Sequence, residues 1–213
     1  MTAPRPTREH VLAAFRRQAL LSAARGVFGR RGFERATMDA IAAEAGVAKG
    51  TVYLYFPSKQ AVYDATVTEG LHELERLTQA AIHAATTLKD AILGFVSVRV
   101  HYFQERPDFF RMYVAEISHQ LTHPRRRGRA CAAALDGQTR DLERVLEVAI
   151  AGDEVRDVDP AAAALVIFDT TRGLVARRLL TCPRSDATRD IEFLTDLIWA
   201  GLRRQPTEKG PTP

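Results

Sequence analysis

A short segment of the chain, residues 37–59, concentrates side chains that could bind a polyanion. It carries ammonium and hydroxyl groups at short spacing, on Lys49, Thr51, Tyr53, Tyr55 and Lys59. When a helix lies in the major groove of DNA, such groups can hydrogen-bond phosphate oxygens and base edges. These residue types therefore predict a DNA-facing surface, although aromatic residues at helical spacing are more usually core residues.

Two short helices joined by a tight turn would position these side chains. Thr37 has the side chain of an N-cap, and it precedes an apolar stripe that predicts a first helix over residues 38–45. Gly46 can adopt the positive φ that a tight turn needs. A second helix is predicted over residues 48–55, so the segment indicates a helix-turn-helix.

The second of these helices divides into an inward stripe and an outward face. Val52 and Phe56 lie four residues apart and predict the inward stripe. Val47, in the turn, is expected to fill the gap between the two helices. Pro57 ends the unit, and Ser58 is expected to cap the long helix that follows.

The rest of the chain also shows helical periodicity, punctuated by Gly and Pro and without sustained period-2 alternation. We therefore predict an all-α fold of about nine helices. The predicted ranges are 8–30, 38–45, 48–55, 59–86, 88–105, 107–121, 125–151, 160–181 and 186–204. Gly32 is expected to end the first helix, and the Asp- and Gly-rich residues 152–160 are expected to form a surface loop.

We predict three parts along the chain. An N-terminal three-helix head with the helix-turn-helix covers residues 8–58, a helical body for ligand binding and dimerisation covers residues 59–205, and a disordered tail covers residues 206–213.

Charge is distributed unevenly between head and body. Residues 1–60 carry ten Lys or Arg and four Asp or Glu, a balance of +6, and the remainder carries 20 against 22, a balance of −2. The two balances sum to the net charge of +4. A basic head on a nearly neutral body suggests that the head meets a polyanion.

Composition favours a globular, cytoplasmic protein. No run of 18 or more uncharged apolar residues is present, so no contact with a membrane is expected. The N-terminus lacks the apolar segment of a secretory signal. Cys131 and Cys182 are too few for a disulfide framework, fit a reducing compartment and are expected to be inert rather than redox-active.

The segment from Phe33 to Lys59 resembles the signature of the TetR family of transcription regulators. The resemblance is carried by Ile41-Ala42, Ala45-Gly46-Val47, Lys49-Gly50-Thr51, Tyr53, Tyr55-Phe56 and Ser58-Lys59. The apolar face of the first helix is similar as well, so the resemblance covers about residues 15–70.

This resemblance implies a transcription regulator, by default a repressor, that binds a palindromic operator as a homodimer. It implies that Tyr53 lies nearest the bases, and that Thr51, Tyr55 and Lys59 mainly hold phosphates. The full set of expected DNA contacts is Thr37, Lys49, Gly50, Thr51, Tyr53, Leu54, Tyr55 and Lys59.

Two residues depart from the family pattern. Ala48 replaces the usual serine, so the second helix lacks a side-chain N-cap, which typically costs about 1 kcal/mol. Leu54 replaces a residue that is often histidine or another polar group, and it could touch a thymine methyl or simply cover hydrophobic surface. Both departures affect the operator sequence rather than the function.

In the family, the body encloses a cavity whose ligand moves the two DNA-binding heads apart and releases the operator. The candidate contacts to this unidentified small molecule are Phe95, Arg99, Tyr102, Phe103, Phe110, Tyr113, Phe168 and Arg172. Ordinary core packing is at least as good an interpretation of each aromatic residue. Arg172 is expected to pair with Asp169, although it could instead bind an acidic group of a ligand.

Two consecutive helices near the C-terminus predict a subunit interface. The helix at 160–181 is apolar over most of its circumference, which is typical of a core or an interface. The last helix carries an apolar face formed by Ile191, Leu194, Ile198 and Leu202. TetR-like proteins dimerise through their last two long helices, and a two-fold dimer presents two recognition helices about 34 Å apart, or a multiple of that.

Two other groups of residues could form a binding site, but each is better explained without one. Glu116, His119 and His123 have a spacing that could hold a metal, but His123 precedes Pro124 and is expected to leave the helix. The arginines at 125–127 and 129 are expected to form a solvated face, with ligand phosphates or DNA as alternatives. We therefore expect no metal site.

Two other classes of function remain as alternatives. A helical enzyme or carrier would need a phosphate-binding loop, a nucleophile–base pair or a metal set, and the sequence has none of these signatures. We therefore expect neither catalysis nor a cofactor. A DNA-compacting protein would bind without regard to sequence, whereas a regulator should favour its operator by ~10³-fold or more.

Overall fold

The computed structural model describes residues 7–122, 137–181 and 186–204, with residues 119–122 and 138 described by their backbone alone. The predicted tail at 206–213, the arginines at 125–129 and both cysteines lie outside the described residues, as do the side chains of His119 and His123.

Within these ranges the chain folds into nine α-helices and one short 3-10 helix, with no strand, which confirms the predicted all-α class. The helices are α1 Arg8–Arg35, α2 Met38–Glu44, α3 Lys49–Tyr55, α4 Lys59–His83, α5 Leu88–Glu105, α6 Pro107–Thr122, α7 Arg140–Ala151, α8 Pro160–Leu180 and α9 Ala187–Leu202, and the 3-10 helix is Gly137–Thr139. None of the described helices is long and apolar enough to cross a membrane.

Helix ends differ from the expectation at three places. Gly32, with a φ of 73°, interrupts α1 as predicted, but one further turn continues to Arg35. Helix α4 ends at His83 rather than at residue 86, because Thr87 caps the next helix by accepting a hydrogen bond from the backbone N–H of Asp90 at 3.1 Å. The helix predicted from residue 125 begins, within the described range, only at Arg140.

The chain divides into two compact units. The first contains the described residues up to His72 and those from Arg106 to 122, and the second contains 73–105, 137–181 and 186–204. These are units of packing, and the functional boundary between residues 58 and 59 stays a prediction.

Helix α1 is the centre of the first unit and packs against α2 and α6. Its buried side chains follow the predicted periodicity and include Leu20, Leu21, Ala24, Val27 and Phe28. The Tyr63 ring lies 5.1 Å, centroid to centroid, from both the Phe28 and the Phe33 rings, edge to face. Such aromatic pairs add about 0.5–1.5 kcal/mol each beyond their burial.

In the second unit, α5 packs against α7, α8 and α9. An ion pair of 2.5 Å between the nearly buried Arg178 on α8 and Asp190 on α9 connects the last two helices. The predicted surface loop at 152–160 is mostly exposed, with the exception of Val155, which is fully buried and forms an isolated β-bridge with Arg203. This bridge attaches the loop to the end of α9.

Close approach between α1 and α6 depends on Gly29. A Cβ atom at this position would lie 2.4 Å from the Cβ and 2.7 Å from the Cα of Asp108, so the backbone of α6 would have to move. At Gly26, on the same helix, a Cβ would meet only the flexible ends of two side chains, Arg30 at 3.0 Å and Glu44 at 3.5 Å.

We expect Gly29→Ala to lower the free energy of unfolding by about 1–3 kcal/mol, because the added methyl group overpacks the contact between α1 and α6. Gly26→Ala is the matched control and should be neutral or stabilising by about 0.4–1 kcal/mol, since alanine reduces the entropy of the unfolded chain. Urea denaturation of both variants measures the difference. Equal stability of the two variants would contradict the close packing.

Candidate DNA-binding surface

Helices α2 and α3 form the predicted helix-turn-helix. The Thr37 hydroxyl accepts a hydrogen bond from the backbone N–H of Ala40 at 3.1 Å and so caps α2, as expected. Gly46 has a φ of 67°, the left-handed conformation that the turn between the helices requires. The sequence prediction of this turn is confirmed.

Helix α3 is held on the first unit by its inward stripe. Val52 is fully buried and Phe56 nearly so, which confirms the predicted stripe. Ala48 makes no side-chain cap, also as predicted. The expectation for Val47 is wrong: its side chain is 37% exposed, and the turn is closed instead by its backbone N–H, which donates to the Ala42 carbonyl at 3.0 Å.

The outward face of α3 is the accessible part of this surface. Tyr53 is 47% exposed and Leu54 is 83% exposed, so both can reach a DNA groove. Lys49 and Gly50 are also exposed, whereas Thr51 and Tyr55 are half-buried. Leu54 therefore presents an isobutyl group to the surroundings, in agreement with a contact to a thymine methyl group.

Lys49 is already paired within the helix-turn-helix. Its Nζ lies 2.8 Å from the Oδ2 of Asp39 on α2, and both side chains are more than half exposed. The hydrogen bond to Asp39 raises the pKa of Lys49 above that of an ordinary lysine. Sequence reasoning missed Asp39, because a pair that spans the turn follows no helical spacing. It places a carboxylate beside the recognition helix.

Lys59 also contacts other groups of the protein. Its Nζ donates to the Phe33 carbonyl at 2.8 Å and to the Glu34 carbonyl at 3.2 Å, and it lies 4.4 Å from the centroid of the Phe33 ring. The ammonium therefore fastens the start of α4 to the end of α1, a structural role that the sequence did not indicate. A phosphate contact by Lys59 stays a prediction.

Four of the predicted ligand contacts form one cluster in the second unit. Arg99 is almost fully buried, with its guanidinium 5.0 Å from the centroid of Phe95 and 4.7 Å from that of Phe168. Arg172 lies 5.9 Å from the same Phe168 ring, and its predicted ion pair with Asp169 is confirmed at 2.9 Å. We call Phe95, Arg99, Phe168 and Arg172 the arginine–aromatic cluster.

The other four ligand candidates are all buried. Tyr102 packs edge to face against Phe103, with 5.6 Å between centroids, and its hydroxyl donates to Glu73 at 2.9 Å. Phe110 and Tyr113 belong to the first unit, where their centroids are 6.4 Å apart. Burial of this kind fits both core packing and the wall of a closed pocket.

Among the described residues, no group of three or more His, Cys, Asp or Glu is placed to hold a metal ion. Of the three residues whose spacing could hold a metal, Glu116 belongs to this part, whereas the side chains of His119 and His123 do not.

Comparison with known proteins identifies the head. Residues 20–66 match the model of bacterial regulatory proteins, tetR family. The HTH-type transcriptional regulator BetI of Rhizobium meliloti is 27% identical over 93% of this chain and 95% of its own length. The uncharacterized HTH-type transcriptional regulator YfiR of Bacillus subtilis is 42% identical over 38% of each chain, so the chain spans well under half of that relative.

The fold is shared with solved regulators. The crystal structure of the transcriptional regulator FadR from Bacillus subtilis, in complex with stearoyl-CoA, matches with a TM-score of 0.72 at 20% identity, over 86% of this chain and 98% of that one.

An exposed recognition helix in a helix-turn-helix is typical of a DNA-binding transcription regulator, and the names of the relatives report the same class. Within that class, the match over residues 20–66 identifies the head as one of the TetR type, and BetI is similar along nearly the whole chain.

We expect Asp39→Asn to tighten binding to duplex DNA of any sequence, because it removes a carboxylate from the DNA-facing surface and frees Lys49. The slope of log K against log salt should steepen by about one unit, as expected for one additional phosphate contact. Fluorescence anisotropy with a mixed-sequence duplex measures both quantities.

Glu44→Gln is the control for this experiment. Glu44 lies on the same helix and is also exposed, but its carboxylate pairs with Arg30 on α1 at 2.7 Å. Its removal changes the net charge equally and should change the salt slope much less. Equal effects of the two substitutions would show that DNA binding depends only on the net charge of the head.

Proposed function

We propose that the chain is a repressor that binds a palindromic operator as a homodimer and leaves it when a small molecule occupies the helical body. In this proposal residues 8–58 bind DNA, and residues 59–205 bind the ligand and the second copy. The observation that carries the dimer is an apolar surface on α8 and α9.

Several large apolar side chains of these two helices face outward in the single chain. Each is more than half exposed: Leu165, Val166 and Leu180 on α8, and Phe193 and Leu197 on α9. Single exposed apolar residues are common on any protein, but a contiguous group marks an interaction surface. The sequence prediction that α8 is apolar on most sides fits an interface better than a core.

A groove between α8 and α9 includes two of these side chains, Val166 and Leu197. It encloses about 420 Å³ and is lined by Val166, Ile167, Leu194, Leu197, Ile198 and Leu202, with Arg156 and Asp159 among its few charged residues. A groove of this composition can receive the corresponding apolar ridge of a second copy. Two-fold symmetry would bring both grooves and both ridges together in one isologous interface.

The dimer determines the form of the operator. A two-fold axis that relates two recognition helices requires a palindromic site, with half-sites one helical turn of DNA, about 34 Å, or a multiple of it apart. Tyr53 and Leu54 are the exposed residues of α3 best suited to read bases, through a hydroxyl group and an apolar contact.

The ligand of this proposal is a largely apolar molecule with an anionic group. In the arginine–aromatic cluster two guanidinium groups lie beside aromatic rings. The guanidinium groups suit the acidic group of a ligand, and the rings suit its hydrocarbon chain. The similarly folded FadR binds stearoyl-CoA, which makes long-chain acyl-CoA the first class of compound to test.

Selection from a random DNA library by the purified protein tests the operator. We expect one palindromic motif to be enriched, and Tyr53→Ala to weaken binding to that motif by about 1–3 kcal/mol while binding to unrelated DNA is unchanged. A folded protein that enriches no motif would support the DNA-compacting alternative. The selected duplex then serves as the probe for release by acyl-CoA.

We expect Leu197→Asp to convert the dimer to a monomer, because symmetry places the charge in the interface twice, and each buried unpaired charge costs several kcal/mol. Sedimentation equilibrium measures the mass, and circular dichroism verifies the helix content. Val148→Asp, at an exposed apolar residue on α7, is the control and should leave the mass unchanged. A Leu197→Asp variant that stays dimeric would place the interface elsewhere.

A further inference from the structure

We propose that Arg16 on α1 binds a phosphate of the DNA backbone, in a groove between α1 and the start of the recognition helix. This assigns a contact to a part of the chain outside the helix-turn-helix. It rests on DNA binding by the head and on neither the dimer nor the ligand of the proposed function.

The groove lies in the first unit and encloses about 410 Å³. Its walls are small or apolar side chains, Ala19, Leu20, Ala45, Val47 and Ala48, and its polar members are Arg16 and Thr51. One cation and one hydroxyl above an apolar floor match the chemistry of a sugar–phosphate backbone, in which a charged phosphate adjoins an apolar deoxyribose face.

The other cations close to α3 are held by protein groups. Lys49 pairs with Asp39, and Lys59 donates to two backbone carbonyls. Arg17 lies 3.8 Å from Glu69 and 5.4 Å from the centroid of the Phe56 ring. For Arg16, the part of the chain that the structure describes provides neither an ion pair nor a side-chain hydrogen bond.

DNA is the occupant that these observations favour over another protein. The groove is continuous with the DNA-facing surface, because Thr51 and Ala48 belong to or directly precede α3. The unpaired cation at its edge complements a polyanion. Thr51 is also half-buried, so it can reach a phosphate that lies in this groove more readily than a base edge.

Anisotropy titrations with a mixed-sequence duplex over a range of salt concentrations test the assignment without knowledge of the operator. We expect Arg16→Ala to weaken binding on the order of tenfold and to reduce the magnitude of the salt slope by about 0.9, the value for one lost phosphate contact. Arg16→Lys should retain the slope, because it keeps the charge.

Arg31→Ala is the matched control. Arg31 is an exposed arginine of the same helix, roughly 22 Å further along at 1.5 Å per residue. Its removal should leave the slope nearly unchanged. The proposal is wrong if Arg16→Ala binds like the unmodified protein, or if both alanine variants lose equal affinity and slope. Thermal unfolding of each variant separates a lost contact from a lost fold.

Discussion

Burial of Val52 and Phe56 is the contact on which the DNA-binding surface depends. Helix α3 has only seven residues and no side-chain N-cap, and isolated helices of that length are not stable in water. Each buried apolar side chain contributes roughly 1.5–3 kcal/mol relative to its exposed state. The recognition helix is therefore stabilised by its inward stripe, and the orientation of that stripe determines which residues of the helix are exposed. Tyr53 and Leu54 are exposed because Val52 and Phe56 are not.

The second constraint is electrostatic. Residues 1–60 carry ten Lys or Arg, but several of these cations are engaged by groups of the protein itself. Lys49 meets Asp39, Arg30 meets Glu44, and Lys59 binds backbone carbonyls. Such contacts orient the side chains and leave fewer cations free to bind a polyanion. Weak attraction to arbitrary DNA benefits a regulator, because its operator competes with a very large number of unrelated sites.

Periodicity was sufficient to predict the all-α class, the helix-turn-helix and the inward stripe, because each depends on residues close in sequence. It could not predict the roles of Asp39, Lys59 and Val47. Asp39 reaches Lys49 across a turn, and Lys59 reaches carbonyls more than twenty residues away, so neither pair has a local signature. Val47 has the apolar side chain of a plug, but the backbone bond from Val47 to Ala42 closes the turn without it.

These two constraints together explain why a second copy would matter to the function. A single head with few available cations would release few counterions on binding, which corresponds to an affinity in the range of non-specific contacts, about 10⁻⁴–10⁻⁶ M. In the proposed dimer the second head binds at an effective concentration in the millimolar range, and the two contacts multiply. A ligand then need not disturb α3 at all. In the proposed mechanism, a change in the separation of the heads would prevent both from binding together, which would remove the gain from the second contact and leave each recognition helix intact.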